Sequence, residues 1–276
     1  MQPATQQIDW FLTEDIGTRD WTAEIISPET RARATVLTRE YMVLCGCGWF
    51  DAVFARLNAG VKIRWYYTDG DDVNAGQTLC ELEGNARSLL TGERTGLNLL
   101  QTLSGTATLA RIYSRAVEGI PVTILDTRKT IPGLRDAQKY AVRQGGCDNH
   151  RLGLYDGILI KENHIMAAGS IALAVAQAKA LNAGVSIEVE VENIEELQEA
   201  LTARPDRILL DNFDLERMKQ AVALARGQVE LEVSGNVTLD NIRDIAHTGV
   251  QYISVGTLTK HLKAIDLSMR IELTNG

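Results

Sequence analysis

The chain has no apolar run of the roughly 18 residues that a membrane-crossing helix requires, which excludes a helical membrane span. Its opening stretch, MQPATQQIDWFLTEDIG, lacks a basic segment followed by an apolar one, so no secretory signal is expected. Cysteine is scarce. The four residues, Cys45, Cys47, Cys80 and Cys147, form no pair of CxxC motifs, and CGC alone is a poor zinc site. Small buried thiols in a reducing cytoplasm are expected instead. Basic charge is also in deficit, with 28 Lys+Arg against 36 Asp+Glu and a net charge of −8. That excludes a general nucleic-acid-binding face, while a local basic pocket for a small anion stays open. The sequence contains no low-complexity tract and no charged tail.

What is present is an ordinary globular composition, 45% hydrophobic and 23% charged over 276 residues. The pattern changes near residue 105. Before it, ARATVLTRE (32–40), VKIRWYYT (61–68) and TLCELEG (78–84) read as strands. The Asp cluster within 69–72 lacks EF-hand spacing and reads as a solvated turn. From Ala86 to about Glu118 the pattern is helical, interrupted at Gly92 and Gly105. After about residue 120, β-branched runs at 122–126, 157–161, 186–191, 207–211, 229–233 and 252–256 alternate with helical patterns at 134–145, 169–182, 194–203, 214–226 and 239–248. Such alternation predicts a parallel sheet. Six units suggest an incomplete TIM-like α/β barrel, with an open doubly wound sheet as the rival. The expected division is 1–105 and 106–276, the extreme C-terminus packing back on the first part.

In parallel α/β folds the carboxyl ends of the strands carry the site. Here those ends read Asp126-Thr127-Arg128-Lys129, Lys161-Glu162-Asn163, Glu190, Asp211-Asn212, Ser234-Gly235-Asn236 and Gly256-Thr257. Asn212 and Asn236 serve equally well as caps. Residues 128–164 hold seven basic and four acidic side chains inside an acidic protein. Arg135, Lys139 and Arg143 fall at helical spacing and read as a solvated face. Arg128, Lys129, Arg151 and Lys161 fall on strand ends and loops, where they can converge on an anion of several charges. The late turns VSGNVT and VGTLT each lead into a helical pattern, the arrangement that binds phosphate with backbone N–H groups. Glu190 and Asp211 suit sugar hydroxyls or Mg²⁺, or simply neutralise Lys161 and Lys129.

The stretch DTRKTIPGLRDAQKYAVRQGGCDNHRLGLYDGILIKENHI (126–165) resembles the signature of the quinolinate phosphoribosyltransferases, also called nicotinate-nucleotide pyrophosphorylases (carboxylating). LLTGERTGLNLLQTLSGTAT (89–108), EVEVEN, LLDNF, EVSGNVT and ISVG continue the resemblance in order over nearly the whole chain. One departure is Cys147, at a place where the family often has Gly in a GGG run; a small residue is expected to be tolerated there. The resemblance implies an N-terminal α/β sandwich domain, an incomplete six-unit barrel and a homodimer. It implies transfer of phosphoribosyl from phosphoribosyl pyrophosphate to quinolinate, yielding nicotinate mononucleotide, CO₂ and pyrophosphate. Mg²⁺ accompanies the phosphoribosyl donor, and no organic cofactor is needed.

By the same resemblance Arg128, Lys129, His150, Arg151 and Lys161 line the quinolinate pocket, with His150 donating to a carboxylate, and Thr130 is a further substrate-binding residue. Arg94, in GERT, completes the neighbouring subunit's site. Glu190 and Asp211 hold the ribose or Mg²⁺, and Lys129, Lys161, Glu190 and Asp211 are the catalytic set. Ser234, Gly235, Asn236 and Gly256 take the 5′-phosphate, and Val255 and Thr257 are further substrate-binding residues. Two rivals are a Schiff-base barrel lyase using Lys161 or Lys129 and an anion-binding protein like the ModD-like molybdenum-transport relatives of the family. The intact TRKT, NHR and IKENH stretches favour the transferase.

Overall fold

The structure is a computed structural model that describes residues 3–274. The chain forms two compact units. The first comprises Met1–Arg111, Ile131–Gly146 and His261–Gly276, the second Ile112–Thr130 and Cys147–Lys260.

The first unit holds α1 (Thr5–Ile16), β1 (Arg31–Thr38), β2 (Met42–Val43), α2 (Cys47–Leu57), β3 (Lys62–Trp65), β4 (Asp72–Val73), β5 (Thr78–Asn85) and most of α3 (Ala86–Ala116). It also takes in α4 (Arg135–Gln144), which the sequence alternation places with the barrel, and the C-terminal strand Leu267–Thr274. The antiparallel sheet runs C-terminal strand, β1, β5, β3. Alternation along β1 buries Ala32, Ala34 and Val36 on one face. That face shares a core with Phe50 and Phe54 of α2 and Leu89, Leu97 and Leu100 of α3. Each of these large side chains contributes about 1.5–3 kcal/mol by leaving water.

The glycines of α3 do not interrupt it. A Cβ at Gly92 would sit 2.7 Å from the Phe54 ring, and one at Gly105 would sit 2.2 Å from the Lys263 carbonyl oxygen. They are points of close approach within one continuous helix. The Asp cluster is likewise structural. Asp69 accepts from the N–H groups of Gly46 and Cys47, 2.9 and 3.0 Å away, at the start of α2. Lys139 departs from the solvated-face reading: it is 1% exposed, whereas Arg143 is exposed.

The second unit holds six parallel strands: β6 (Thr123–Leu125), β7 (Ile158–Ile160), β8 (Ile187–Val191), β9 (Arg207–Asp211), β10 (Glu230–Ser234) and β11 (Tyr252–Ser254). The order is β6-β11-β10-β9-β8-β7. The first strand pairs with the last, and the others follow in sequence. That cyclic order belongs to a barrel and excludes the doubly wound sheet, whose first strands lie in the middle. The segment around Asp148 pairs with the edge of β6 that β11 leaves open. Leu125 bridges to Asp148, the Asp148 N–H donates to the Ile124 oxygen (2.8 Å), and the Asp126 N–H donates to the Asp148 oxygen (3.1 Å).

The intervening helices are α5 (Glu162–Ala168), α6 (Ile171–Ala180), α7 (Ile194–Ala203), α8 (Leu215–Ala225), α9 (Ile242–Ala246) and α10 (Thr257–Lys260). Ser170, Asn193 and Asp214 cap α6, α7 and α8, each side chain accepting from the backbone N–H three residues on. The last two helices are shorter than the sequence pattern suggests, five and four residues. No helix among the described residues is long and apolar enough to cross a membrane.

Candidate active site

A pocket of about 300 Å³ opens within the second unit, at the carboxyl ends of the strands. Of the residues singled out from sequence, Arg128, Lys129, His150, Arg151, Lys161, Glu190 and Ser234 line it. Thr127, Leu159, Leu209, Glu232 and Ser254 line it too and were not anticipated. Thr130, Asp211, Gly235, Asn236, Val255, Gly256 and Thr257 are not part of the lining, nor is Arg94, which is exposed on α3 of the first unit.

Backbone geometry explains how the cations are presented. The loop after β6 is pinned where the Lys129 N–H donates to Thr127 Oγ1 (3.1 Å) and Thr259 Oγ1 donates to the Lys129 oxygen (2.9 Å). Gly256 gives the Lys129 side chain room, since a Cβ there would lie 3.0 Å from Lys129 Cδ. Lys161 directly follows β7 as the N-cap of α5, and its N–H donates to Nδ1 of His164 (3.0 Å), so His164 closes the first turn of α5 beneath it. Lys161 Nζ is ion-paired with Glu190. Arg151 Nη1 donates to the Gly157 oxygen (2.9 Å). Burial, and then the neighbouring Arg128 charge, lowers the pKa of Arg151. The Nε of Arg128 is buried with no hydrogen-bond partner.

Behind these cations is an acidic layer. Glu188 and Glu232 alternate along β8 and β10 on the face that a barrel turns inward. His150 Nε2 lies 2.8 Å from Glu188 Oε2 and 3.5 Å from Glu232 Oε2. Burial, then the Glu188 charge, pushes the Glu232 carboxyl up to about 7. Burial alone would push the His150 imidazole down, but the hydrogen bond to Glu188 and the Glu232 charge raise it. Neither acid was singled out from SIEVEV and VELEV, which read only as β-branched runs of the parallel sheet.

The rim turns are specialised. Asn212 and Asn236 take positive φ, 56° and 51°, and Asn236 Nδ2 donates to Asn212 Oδ1 (3.2 Å). They tie neighbouring loops together and cap no helix. Val255, among the expected substrate-binding residues, is packed into the barrel. Its side chain is 1% exposed, its N–H donates to the Leu125 oxygen, and its carbonyl accepts from the Leu258 N–H. The cysteines are free thiols. Cys45, Cys80 and Cys147 are buried and Cys47 is half-buried, and burial raises Cys45, Cys47 and Cys80 well above the usual thiol range.

A six-stranded barrel wall with four cations converging at its carboxyl ends defines the class: an α/β-barrel enzyme that works on a small polyanion. The comparisons with known proteins sharpen this. Residues 20–104 match the family model "Quinolinate phosphoribosyl transferase, N-terminal domain", and residues 106–270 match its C-terminal domain. The "Probable nicotinate-nucleotide pyrophosphorylase [carboxylating]" of Bacillus subtilis is 42% identical over 269 residues, covering 97% of this chain and 93% of its own. The chloroplastic nicotinate-nucleotide pyrophosphorylase [carboxylating] of Arabidopsis thaliana is 39% identical, covering 95% of this chain and 80% of its own. The solved structure of the nicotinate-nucleotide pyrophosphorylase from Francisella tularensis superposes with a TM-score of 0.94 at 49% identity, covering 97% of this chain and 95% of that one. The chain belongs to the quinolinate phosphoribosyl transferase family and is a phosphoribosyltransferase.

Proposed function

We propose that this pocket takes quinolinate and phosphoribosyl pyrophosphate and joins them with loss of CO₂, giving nicotinate mononucleotide for NAD synthesis. The observation that carries this is the convergence of Arg128, Lys129, Arg151 and Lys161 on one pocket, with Arg128 Nε buried and unpartnered. A buried donor without an acceptor is costly, and an anion removes the cost. A planar dicarboxylate suits guanidinium forks in particular.

In this reading Arg128 and Arg151 hold the quinolinate carboxylates. Lys129 and Lys161 sit where the phosphoribosyl donor meets them. Ser234, Gly235, Asn236, Gly256 and Thr257 receive the 5′-phosphate, although helices α9 and α10 are too short to add much dipole. Glu190 and Asp211 lie at the carboxyl ends of adjacent strands, the one next to last in β8 and the other last in β9, and their carboxylate oxygens are the hard donors that Mg²⁺ prefers. When bound with the donor, Mg²⁺ would offset charge on the departing pyrophosphate. The protein's own part is to orient the two substrates and to oppose developing negative charge with preorganised cations. The pyridine nitrogen attacks the anomeric carbon as the bond to pyrophosphate breaks, and that electron pair leaves with pyrophosphate. The quaternary nitrogen then stabilises the pair left at C2 when CO₂ departs, and a proton adds there. No nucleophilic side chain takes part.

The test is incubation with quinolinate, phosphoribosyl pyrophosphate and Mg²⁺, following nicotinate mononucleotide and CO₂ in equal amounts. Borohydride trapping of Lys129 or Lys161 on a carbonyl substrate would support the lyase instead. Gly256→Ala is expected to push Lys129 aside and lower kcat/KM about two- to tenfold with an unchanged melting temperature, read by steady-state kinetics.

We infer further that the working state is a cytoplasmic homodimer in which Arg94 completes the partner's pocket. Its exposure on α3 suits that role. Arg94→Ala mixed with a separately inactive pocket variant is expected to recover activity in hybrid dimers; a mixture as inactive as its components rejects the shared site.

A further inference from the structure

His150 lines the pocket, yet both of its ring nitrogens are engaged by the protein. Nε2 faces Glu188 and Glu232 at 2.8 and 3.5 Å. Nδ1 accepts the backbone N–H of Arg151 at 2.8 Å. An acceptor at Nδ1 places the neutral ring's proton on Nε2, aimed at the two carboxylates. The backbone is held as well. The His150 N–H donates to Asp126 Oδ1 (2.9 Å), and Asn149 Nδ2 donates to Asp126 Oδ2 (2.7 Å).

The acids are themselves anchored. Glu232 is 0% exposed and Glu188 6%. Arg207 Nη1 lies 3.1 Å from Glu232 Oε2, and its guanidinium rests 3.7 Å over the Tyr252 ring. The chain of contacts therefore runs from Tyr252 and Arg207 through Glu232 and Glu188 to the imidazole, and from the imidazole to the main chain of Arg151.

We infer that His150 is a positioning residue, anchored by Glu188 and Glu232, and that this buried group sets the aim of Arg151 at the ligand carboxylate. This rests on the quinolinate reading of the pocket. The carboxylates His150 serves are the protein's own.

A metal centre is the rival, because the donor atoms of His150, Glu188 and Glu232 lie within 4.8 Å of one another. A metal on Nε2 requires the proton on Nδ1, donating outward to an acceptor. Here Nδ1 meets an N–H, which is the opposite arrangement. The imidazole and the Arg207 guanidinium meet Oε2 of each acid, while Glu188 Oε1 and Glu232 Oε1 are buried without a hydrogen-bond partner, so the tautomer is what separates the two readings.

The experiment is nitrogen NMR on enzyme labelled in its four histidines, with His150 assigned by the signals lost in His150→Gln. At about pH 8 the expected state is Nε2 protonated and Nδ1 bare, unchanged when quinolinate is added. Proton transfer to Nδ1, or a doubly protonated ring on binding, means direct ligand contact and overturns the inference; zinc displacing the Nε2 proton supports the metal centre and overturns it too. Kinetics give the second arm. Glu188→Leu is expected to raise KM for quinolinate about tenfold, with KM for phosphoribosyl pyrophosphate within twofold. Glu188→Gln, whose amide oxygen still accepts from Nε2, is expected to restore most of it. Failure of Gln to rescue, or equal rises in both KM values, rejects the positioning role. Absence of turnover in the unmodified enzyme would reject the quinolinate reading while leaving the ligand-free tautomer measurement standing.

Discussion

Arg151→Ala is expected to abolish nearly all quinolinate turnover. Removing one partner of a buried charged pair costs about 2–5 kcal/mol, roughly thirty- to several-thousand-fold in kcat/KM. The reasoning starts from the guanidinium's surroundings. Burial and the Arg128 charge already disfavour its charged form. The enzyme tolerates that only where an anion repays it. Truncation leaves a ligand carboxylate facing one cation fewer in a desolvated pocket. Arg151→Lys is expected to recover little, because an ammonium lacks the planar fork and cannot reproduce both the bond to the Gly157 oxygen and a carboxylate contact. Steady-state kinetics with quinolinate varied at saturating phosphoribosyl pyrophosphate checks this. Turnover near that of the unmodified enzyme would remove Arg151 from the binding set.

The second large effect is on stability. Gly105→Ala should lower the melting temperature by roughly 2–12 °C, read by calorimetry, the range that about 1–3 kcal/mol of overpacking gives at this size. Alanine is ordinarily the better helix former by about 1 kcal/mol, so a naive expectation has the opposite sign. The clash decides it. The added Cβ would lie 2.2 Å from the Lys263 carbonyl oxygen and 3.4 Å from Ala264 Cα, backbone atoms that cannot rotate away. An increase in melting temperature would show that the Lys263 segment yields freely.

The same glycine illustrates what sequence reading could and could not reach. A glycine in a helical pattern is a break by propensity and a contact point by packing, and only the partner 158 residues later distinguishes them. The parallel strands were legible because both their faces are buried, which leaves short β-branched runs at regular spacing. The pairing of β6 with β11 was not, since cyclic order leaves no local trace. Helix α1 went unread because only Ile8 and Leu12 of its twelve residues are buried, too thin a stripe to mark a period. The C-terminal strand was missed because its partner, β1, lies over 200 residues away. In the pocket, Arg128, Lys129, Arg151 and Lys161 were found from position at strand ends. Glu188 and Glu232 were missed because a glutamate alternating with valine normally marks a solvent face, and in a barrel that face is the interior. Lys139 was misjudged for the converse reason, its helical spacing saying nothing about which face is covered.

The edge of β6 beside Asp148 has a use. Asp148, one residue before the Asn149–Arg151 segment, is held on the edge of β6 by main-chain hydrogen bonds to Ile124 and from Asp126. Those two amides are therefore natural reporters. Their hydrogen–deuterium exchange is expected to follow the release of the Asp148 segment from β6, and a ligand that steadies Arg151 is expected to slow them both. The enzyme thus carries, in its own main chain, an occupancy signal that requires neither product detection nor an added label.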